Sequence, residues 1–344
     1  MTTMREGKLL MISTDHKIFE EGSDVRARQA EYAKEWKEVH IVVFEKRSKG
    51  KEARNRKMVI APNCWAYPTQ SWSRFIYPFD AIRLGRFIIA KRGITEITCQ
   101  DSSLTAMAGV ALKKEFHIPL EIQIHEDIGS LRFTYSFQNR IRKMLAISYL
   151  PKADKIRVVS NRIRDYLTGT LKIGDSKIAV RPIFVDVEKI KNSPILPEAN
   201  LHTKYPQFEK IVLMASRLTK EKNIELAIRS WSEVISQMPK AGLVIVGEGH
   251  EKKKLEQLIS RLNLKEAIIF EPWADQATLY SYYKTADLFL NTSLFEGYGM
   301  TLVEAQAAGC QIVSTDVGVA MEFGARVAGW DEKEVAKAVV SALR

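Results

Sequence analysis

Apolar residues in this chain gather in short blocks, and the blocks alternate between two spacings. "KLLMIS", "VHIVVFE", "ITEITCQ", "LEIQIH", "KIRVVS" and "KIAVRP" are compact runs bounded by polar or turn residues, and they predict strands. Between them lie stretches whose apolar positions return with helical spacing. "VRARQAEYAKEW", with Val25, Ala30, Ala33 and Trp36, and "SLTAMAGVALKKEF" predict helices. Strands that are apolar throughout have both faces buried, which implies a parallel sheet covered by helices.

The alternation breaks once. "VEKIKNSPILPEANLHTKYPQFEK" is polar and holds Pro194, Pro197 and Pro206, which predicts a linker. It then restarts through "KIVLMAS", "NIELAIRSWSEVISQM", "GLVIVGEG", "AIIFEPW", "DLFLNTS", "MTLVEAQAAG" and "QIVSTD". The expected organisation is α/β: a first domain over 1–190, a linker over 191–209, and a second domain over 210–330. A last helix over 331–344 is free to pack back on the first domain. In such sheets ligands bind beyond the carboxyl ends of the strands, so site residues belong just after strands, beside a cleft between the domains.

Composition narrows the setting. With 344 residues and 46% hydrophobic content the chain can bury two cores, and no run reaches the length of a spanning helix. "MTTMREGKLLMISTD" is too short in apolar length for a signal peptide. Three scattered cysteines show no metal spacing and suggest a reducing cytoplasm. The net charge of +11 is lopsided. Residues 1–200 carry 35 Lys and Arg against 23 Asp and Glu, whereas 201–344 carry 17 against 18. The densest basic run is "EKRSKGKEARNRK", Glu45–Lys57. A basic face suits phosphorylated substrates, anionic lipid or nucleic acid. No zinc spacing or RNA-binding motif supports nucleic acid. The aromatic and basic segment Cys64–Phe87 has the makings of an interfacial surface, against the plainer reading of a helix packed on the core.

Candidate chemistry concentrates at "SLFEGYGMTLVEAQAAG", Ser293–Gly309. A strand precedes it, "EGYG" is a turn, and "MTLVEAQAA" is a helix that Gly309 ends. Gly299, Met300 and Thr301 therefore place backbone N–H groups at a helix start, which suits a diphosphate. Glu296 stands at the mouth of the turn. Glu304 sits in an otherwise apolar helix, where a carboxylate can accept hydrogen bonds from a ribose diol. Arg217 and Lys222 follow the strand "KIVLMAS" and can clamp phosphate oxygens. His125 ends "LEIQIH" and can face a cleft; a metal site with Glu126 and Asp127 is poorly arranged, because neighbours on an extended chain point to opposite faces. "VGEGH" is by itself only a weak phosphate signal.

Residues 293–316 resemble the signature of retaining glycosyltransferases of family 4, which have the GT-B fold of two Rossmann-like domains. Phe295, Glu296, Gly297, Tyr298, Gly299, Glu304, Ala305, Ala307 and Gly309 all match. "SRL…KN" resembles the family's donor-phosphate pair, and "QIHED", "RVVSNRI" and "VDVEKI" follow in the expected order. The resemblance implies that Glu304 binds the ribose of a nucleotide sugar and that Gly299, Met300 and Thr301 offer N–H groups to it. Glu296 would meet the transferred sugar's hydroxyls, while Arg217 and Lys222 neutralise the leaving diphosphate. His125 would line the sugar site, Gly22 would approach the diphosphate, and Trp273 would form part of the base pocket. It implies a UDP- or GDP-sugar donor, no required cofactor or metal, and a glycan or lipid-linked acceptor. The location expected is cytoplasmic, with peripheral contact at the inner face of a membrane. Retention would proceed by same-face attack, the diphosphate taking the acceptor's proton. The chain departs from the pattern at "EEGSD", at Gln311, at Gly318–Val319 and at Lys222–Asn223. The rival readings are a nucleotide-sugar epimerase of the same fold and a non-catalytic nucleotide-sugar binder.

Overall fold

The computed structural model describes residues 5–47 and 57–344. Of the basic run Glu45–Lys57, residues 48–56 lie outside the described residues. The chain divides into two compact units, 1–181 and 182–344.

The first unit holds β1 (Arg5–Ser13), α1 (Asp24–Ala33), β2 (Trp36–Val43), β3 (Met58–Ala61), β4 (Cys64–Pro68), α2 (Tyr77–Arg92) and β5 (Glu96–Cys99). It continues with α3 (Leu104–Phe116), β6 (Leu120–Ile124), α4 (Phe137–Tyr149), β7 (Lys155–Val158), α5 (Asn161–Gly169) and β8 (Ile178–Val180). The sheet runs β3-β4-β2-β1-β5-β6-β7-β8, parallel except for the antiparallel β3–β4 pair at one edge. Leu9 and Met11 are buried on one face of β1 and Leu10 and Ile12 on the other, as are Ile41 and Val42 in β2, so the apolar runs do mark strands covered on both faces. Two boundaries differ from the pattern reading. Trp36 opens β2 rather than continuing α1, because Lys34 and Glu35 turn the chain back through hydrogen bonds to Glu31 and Tyr32 carbonyls. The start of Cys64–Phe87 is a strand, β4, pairing with β2; Trp65 there stacks on His40 at 4.9 Å between ring centroids.

The second unit holds α6 (Val187–Asn192), α7 (Leu201–Lys204), β9 (Lys210–Ala215), α8 (Ile224–Gln237), β10 (Ala241–Val246), α9 (Lys252–Arg261) and β11 (Ile268–Glu271). After these come α10 (Gln276–Thr285), β12 (Leu288–Asn291), α11 (Met300–Ala307), β13 (Gln311–Thr315), β14 (Arg326–Ala328) and α12 (Glu332–Leu343). Its sheet, β11-β10-β9-β12-β13-β14, is parallel throughout.

The expected linker is part of this second unit. Ile190, Ala199, Leu201 and Phe208 are buried with Tyr280, Tyr283 and Val244, and Ser281 and Thr285 of α10 accept from the backbone N–H of Leu196 and Leu201. Pro197 opens a 3-10 helix and Pro206 lies in a turn, and the few apolar residues of the segment suffice to anchor it. Helix α12 likewise packs on α8 and closes the second core: Val335, Ala336, Val339, Val340 and Leu343 are buried in one cluster with Trp231. The sequence left this helix free to pack back on the first domain, and the wall it meets is α8 of its own unit.

Candidate functional site

In the second unit, strand order reverses direction between β9 and β12, and the loops after these two strands are where side chains from distant sequence meet. After β9 the chain makes a 3-10 turn at Lys220–Lys222, and Asn223 takes a left-handed conformation with φ of 48°. Glycine or asparagine suits that conformation best, so Asn223 accommodates a departure from the family pattern. The turn is tied to the loop after β12: Leu294 N–H donates to Glu221 O at 2.8 Å, and Thr292 Oγ1 donates to Asn223 O at 3.0 Å. This brings Lys222 Nζ to 2.5 Å from Glu296 Oε1, with both side chains largely buried. Ser293 Oγ lies 2.7 Å from the same carboxylate oxygen. Ser293 is itself fixed from below, its carbonyl accepting from Thr315 Oγ1 at 2.7 Å and from Trp330 Nε1 at 3.3 Å. A lysine ammonium has three N–H donors, so Lys222 can hold Glu296 and still present two to a phosphate.

Helix α11 begins at this point. Gly299, with φ of 93°, is its N-cap, and a Cβ there would stand 2.8 Å from Leu302 Cδ1. The first-turn N–H groups of Met300 and Thr301 have no acceptor within the helix, and the helix dipole favours negative charge in front of them. Gly318 (φ 52°) supports the turn from the next loop; a Cβ there would fall 2.2 Å from Tyr298 O, while Val319 N–H donates to that carbonyl at 2.9 Å. The first of the family's two glycines is thus required sterically here and the second is not.

Glu304 is one turn further along α11. It is half buried, and Tyr283 of α10, which is fully buried, donates its hydroxyl to Oε2 at 3.1 Å. Burial pushes the Glu304 carboxyl above the usual carboxylate range, and the Tyr283 hydrogen bond works against this. The tyrosine hydroxyl is in turn pushed well above its ordinary value, by burial first and then by the Glu304 charge. A carboxylate kept in apolar surroundings with one oxygen engaged is ready to take donors from a diol.

Arg217 also follows β9 but is exposed, its nearest carboxylate being Glu221 at 3.6 Å. Trp273 follows β11 and is 66% exposed. The glycines of "VGEGH" are structural: a Cβ on Gly247 or Gly249 would meet the carbonyls of Ser216 or Leu218 at 1.9 and 2.3 Å. The loop after β10 needs them to lie against the loop that carries Arg217.

In the first unit, His125 ends β6 and lines a cavity of about 440 Å³ beside α1. Nε2 lies 3.3 Å from Gln123 Oε1. More than a third of the residue is exposed, yet the cavity walls crowd the ring; this crowding, and then the charge of Arg157, holds its pKa below the ordinary histidine value. Glu126 and Asp127 are engaged elsewhere, with Arg142 at 2.5 Å and Arg162 at 3.1 Å. Gly22 lies exposed before α1 with φ of 77° and no protein atom within 4 Å of a would-be Cβ. A larger cavity of about 520 Å³, lined by Val110, Lys113 and Asp154, sits at the amino end of β6, where the 2.6 Å Lys113–Asp154 pair is structural.

The structure therefore unites Lys222, Glu296, Gly299, Met300, Thr301 and Glu304 at one end of the second sheet, with Arg217 and Trp273 at its margin. It places His125 and Gly22 in the first unit. Pattern reading missed Tyr283 and Ser293, the side chains that hold the two glutamates.

Residues 201–330 match the model of glycosyl transferases group 1, and residues 29–189 match that of glycosyltransferase family 4. Among curated relatives, an N-acetylgalactosaminyltransferase of Campylobacter jejuni, named for action on a diphospho-undecaprenol saccharide, is 30% identical over 53% of this chain and 46% of its own. The first three relatives are matched over 65%, 46% and 57% of their lengths. Among solved structures, sucrose-phosphate synthase from Thermosynechococcus elongatus superposes with a TM-score of 0.77 at 20% identity, covering 98% of this chain and 90% of that one. Anabaena HepE in complex with UDP and glucose does so with a TM-score of 0.68 at 17% identity, covering 98% and 90%.

Proposed function

We propose that this chain, which belongs to the group 1 and family 4 glycosyltransferases and has the GT-B fold, moves a sugar from a nucleotide sugar to an acceptor hydroxyl with retention of anomeric configuration. The observation that carries the reading is the meeting of Lys222, Glu296 and the start of α11 beside Glu304. Those groups make a sequence of complementary contacts. The ribose hydroxyls go to Glu304, the diphosphate to the first-turn N–H groups and Lys222, with Arg217 reaching in from the margin, and the sugar hydroxyls to Glu296. Trp273 offers an aromatic face for the base. As the glycosidic bond breaks, negative charge grows on the leaving diphosphate and the anomeric carbon becomes oxocarbenium-like. Fixed donors placed where that charge develops lower the barrier without metal participation. HepE was solved with UDP, which supports a uridine donor here, with guanosine the alternative. His125, held largely neutral at neutral pH, is proposed to accept or donate one hydrogen bond to the sugar or the acceptor.

Retention is tested by NMR of the product formed from an α-linked donor and a simple alcohol or glycan acceptor. The expected product is α-linked; a β-linked product contradicts same-face attack. Donor conversion to a C2 or C4 epimer without acceptor would instead favour the epimerase.

The acceptor is proposed to be a glycan or a lipid-linked one, met at the cytoplasmic face of an anionic membrane. The first unit supports this with exposed apolar side chains on α4 and the turn before it: Leu131, Tyr135, Phe137, Ile141, Met144 and Ile147. Residues 128–153 hold five Lys and Arg and no Asp or Glu. Trp72, Phe75 and Phe79 are exposed at the start of α2, which lies two helices away in the same layer. Apolar residues ringed by cations suit an interface rich in anionic lipid. The protein is expected to sediment with phosphatidylglycerol vesicles at low salt and to release at high salt. Phe137→Glu with Met144→Glu should abolish sedimentation, and equal sedimentation of this double variant would remove α4 from the surface.

A further inference from the structure

The cavity beside α1 contains a cation that no carboxylate among the described residues pairs with. Arg157 projects from β7, half buried, and its Nε is closed off from solvent with no acceptor. The comparable half-buried arginines are engaged: Arg142 with Glu126, Arg162 with Asp127, Arg164 with Asp175 and Arg229 with Glu225. Arg157 has no such carboxylate among the described residues. Its charge is felt in the cavity, where it disfavours protonation of His125. Arg28 of α1 lines the same space, exposed at its rim. The carboxylate on the wall, Asp15, turns Oδ1 to the backbone N–H of Lys17 at 3.2 Å.

A second polar atom points the same way. Gln29 Oε1 is buried without a donor, on the same wall as Tyr32. A half-buried guanidinium without an anion and a buried carbonyl oxygen without a donor each cost stability in isolation, and such groups beside a cavity mark a place for an ion, an ordered water or a polar ligand. The two together describe a ligand with an oxyanion next to a hydroxyl. A volume of about 440 Å³ lies within the usual range for small-molecule sites.

We infer that this cavity receives the acceptor by a phosphoryl group it carries, held by Arg157 and Arg28, with Gln29 Oε1 taking a hydrogen bond from a neighbouring hydroxyl. This rests on the transferase reading and adds the chemical class of the acceptor to it. Arginine is suited to the task because its planar donor fork matches two phosphoryl oxygens at once. The phosphoryl group is carried either by a soluble sugar phosphate or by a lipid headgroup.

Calorimetric titration with glucose 6-phosphate, glucose and UDP tests the inference. Glucose 6-phosphate is expected to bind at least tenfold more tightly than glucose. Arg157→Gln and Arg28→Gln should each weaken it about tenfold, Arg157→Lys less, with UDP affinity unchanged within about twofold. Arg28 is exposed on a helix, so its variant keeps the fold should Arg157→Gln prove unstable. Competition by phosphatidic acid vesicles, lost in Arg157→Gln, assigns the phosphoryl group to a lipid; absence of competition with intact glucose 6-phosphate binding assigns it to a soluble acceptor. Unaltered glucose 6-phosphate affinity in both glutamine variants overturns the inference, as does failure of the unmodified protein to bind either phosphate source. Loss of UDP binding alone, with glucose 6-phosphate still bound, would count against the donor site and leave this cavity standing.

Discussion

Lys222→Ala is expected to lower turnover by about 10²–10³-fold with the fold retained, the scale on which removal of one charge-stabilising donor acts. The turn that positions Lys222 is held by bonds from Leu294 N–H and Thr292 Oγ1 to its carbonyls, which the substitution does not touch. What changes is electrostatic. The leaving diphosphate loses the cation best placed for it, because Arg217 is exposed and loosely held, whereas Lys222 Nζ is fixed at 2.5 Å from Glu296. Glu296 also becomes a largely buried carboxylate held, among the described residues, by Ser293, and it would repel a neighbouring phosphate. The double variant Lys222→Ala, Glu296→Gln should therefore recover part of the nucleotide affinity lost in the single variant without recovering turnover. Rapid-quench kinetics at saturating donor separates the two effects. A loss of less than threefold in the chemical step would exclude Lys222 from stabilising the leaving group.

Glu304→Gln is expected to weaken nucleoside diphosphate binding by about 10–100-fold, the range of a hydrogen bond pair to a partly buried charge. The pH dependence carries a sign that identifies the group. Burial holds the free carboxyl above its usual range, whereas donor hydrogen bonds from ribose favour the ionised form. The free protein then keeps its proton to higher pH than the complex does. Binding must expel a fraction of a proton between the two pKa values. Affinity falls as pH is lowered through that window and is flat above it. Calorimetry in buffers of differing ionisation enthalpy reads the proton directly. Glu304→Gln should abolish its release. Release that persists in this variant would move the titrating group elsewhere.

Much of this site could be read along the chain because its central piece is local. Strand, glycine turn and helix start lie within Ser293–Gly309, and each has its own chemistry of apolar run, φ freedom and helix-forming residues. The sheets were legible for the same reason: parallel strands buried on both faces are continuous apolar words. What escaped depends on pairs far apart in sequence. Tyr283 reaches Glu304 across 21 residues and Lys222 reaches Glu296 across 74, and no periodicity announces either. The segment 191–209 misled because its polar and proline content hides three buried anchors, Ala199, Leu201 and Phe208. Trp36 misled because one aromatic residue fits the end of a helix pattern and the start of a strand equally well. Arg157 attracted no attention in "KIRVVS", where a lone arginine in a strand looks like an edge charge.

The central claim is that backbone N–H groups and Lys222 hold a diphosphate while Glu296 and Glu304 hold the hydroxyls on either side of it. Hydrogen–deuterium exchange of the intact protein, with and without saturating UDP, tests it most directly. Slowed exchange is expected to be confined to 217–223, the turn and first two turns of helix at 296–305, and the segment around Trp273. Protection absent from 296–305, or centred elsewhere in the chain, would contradict it.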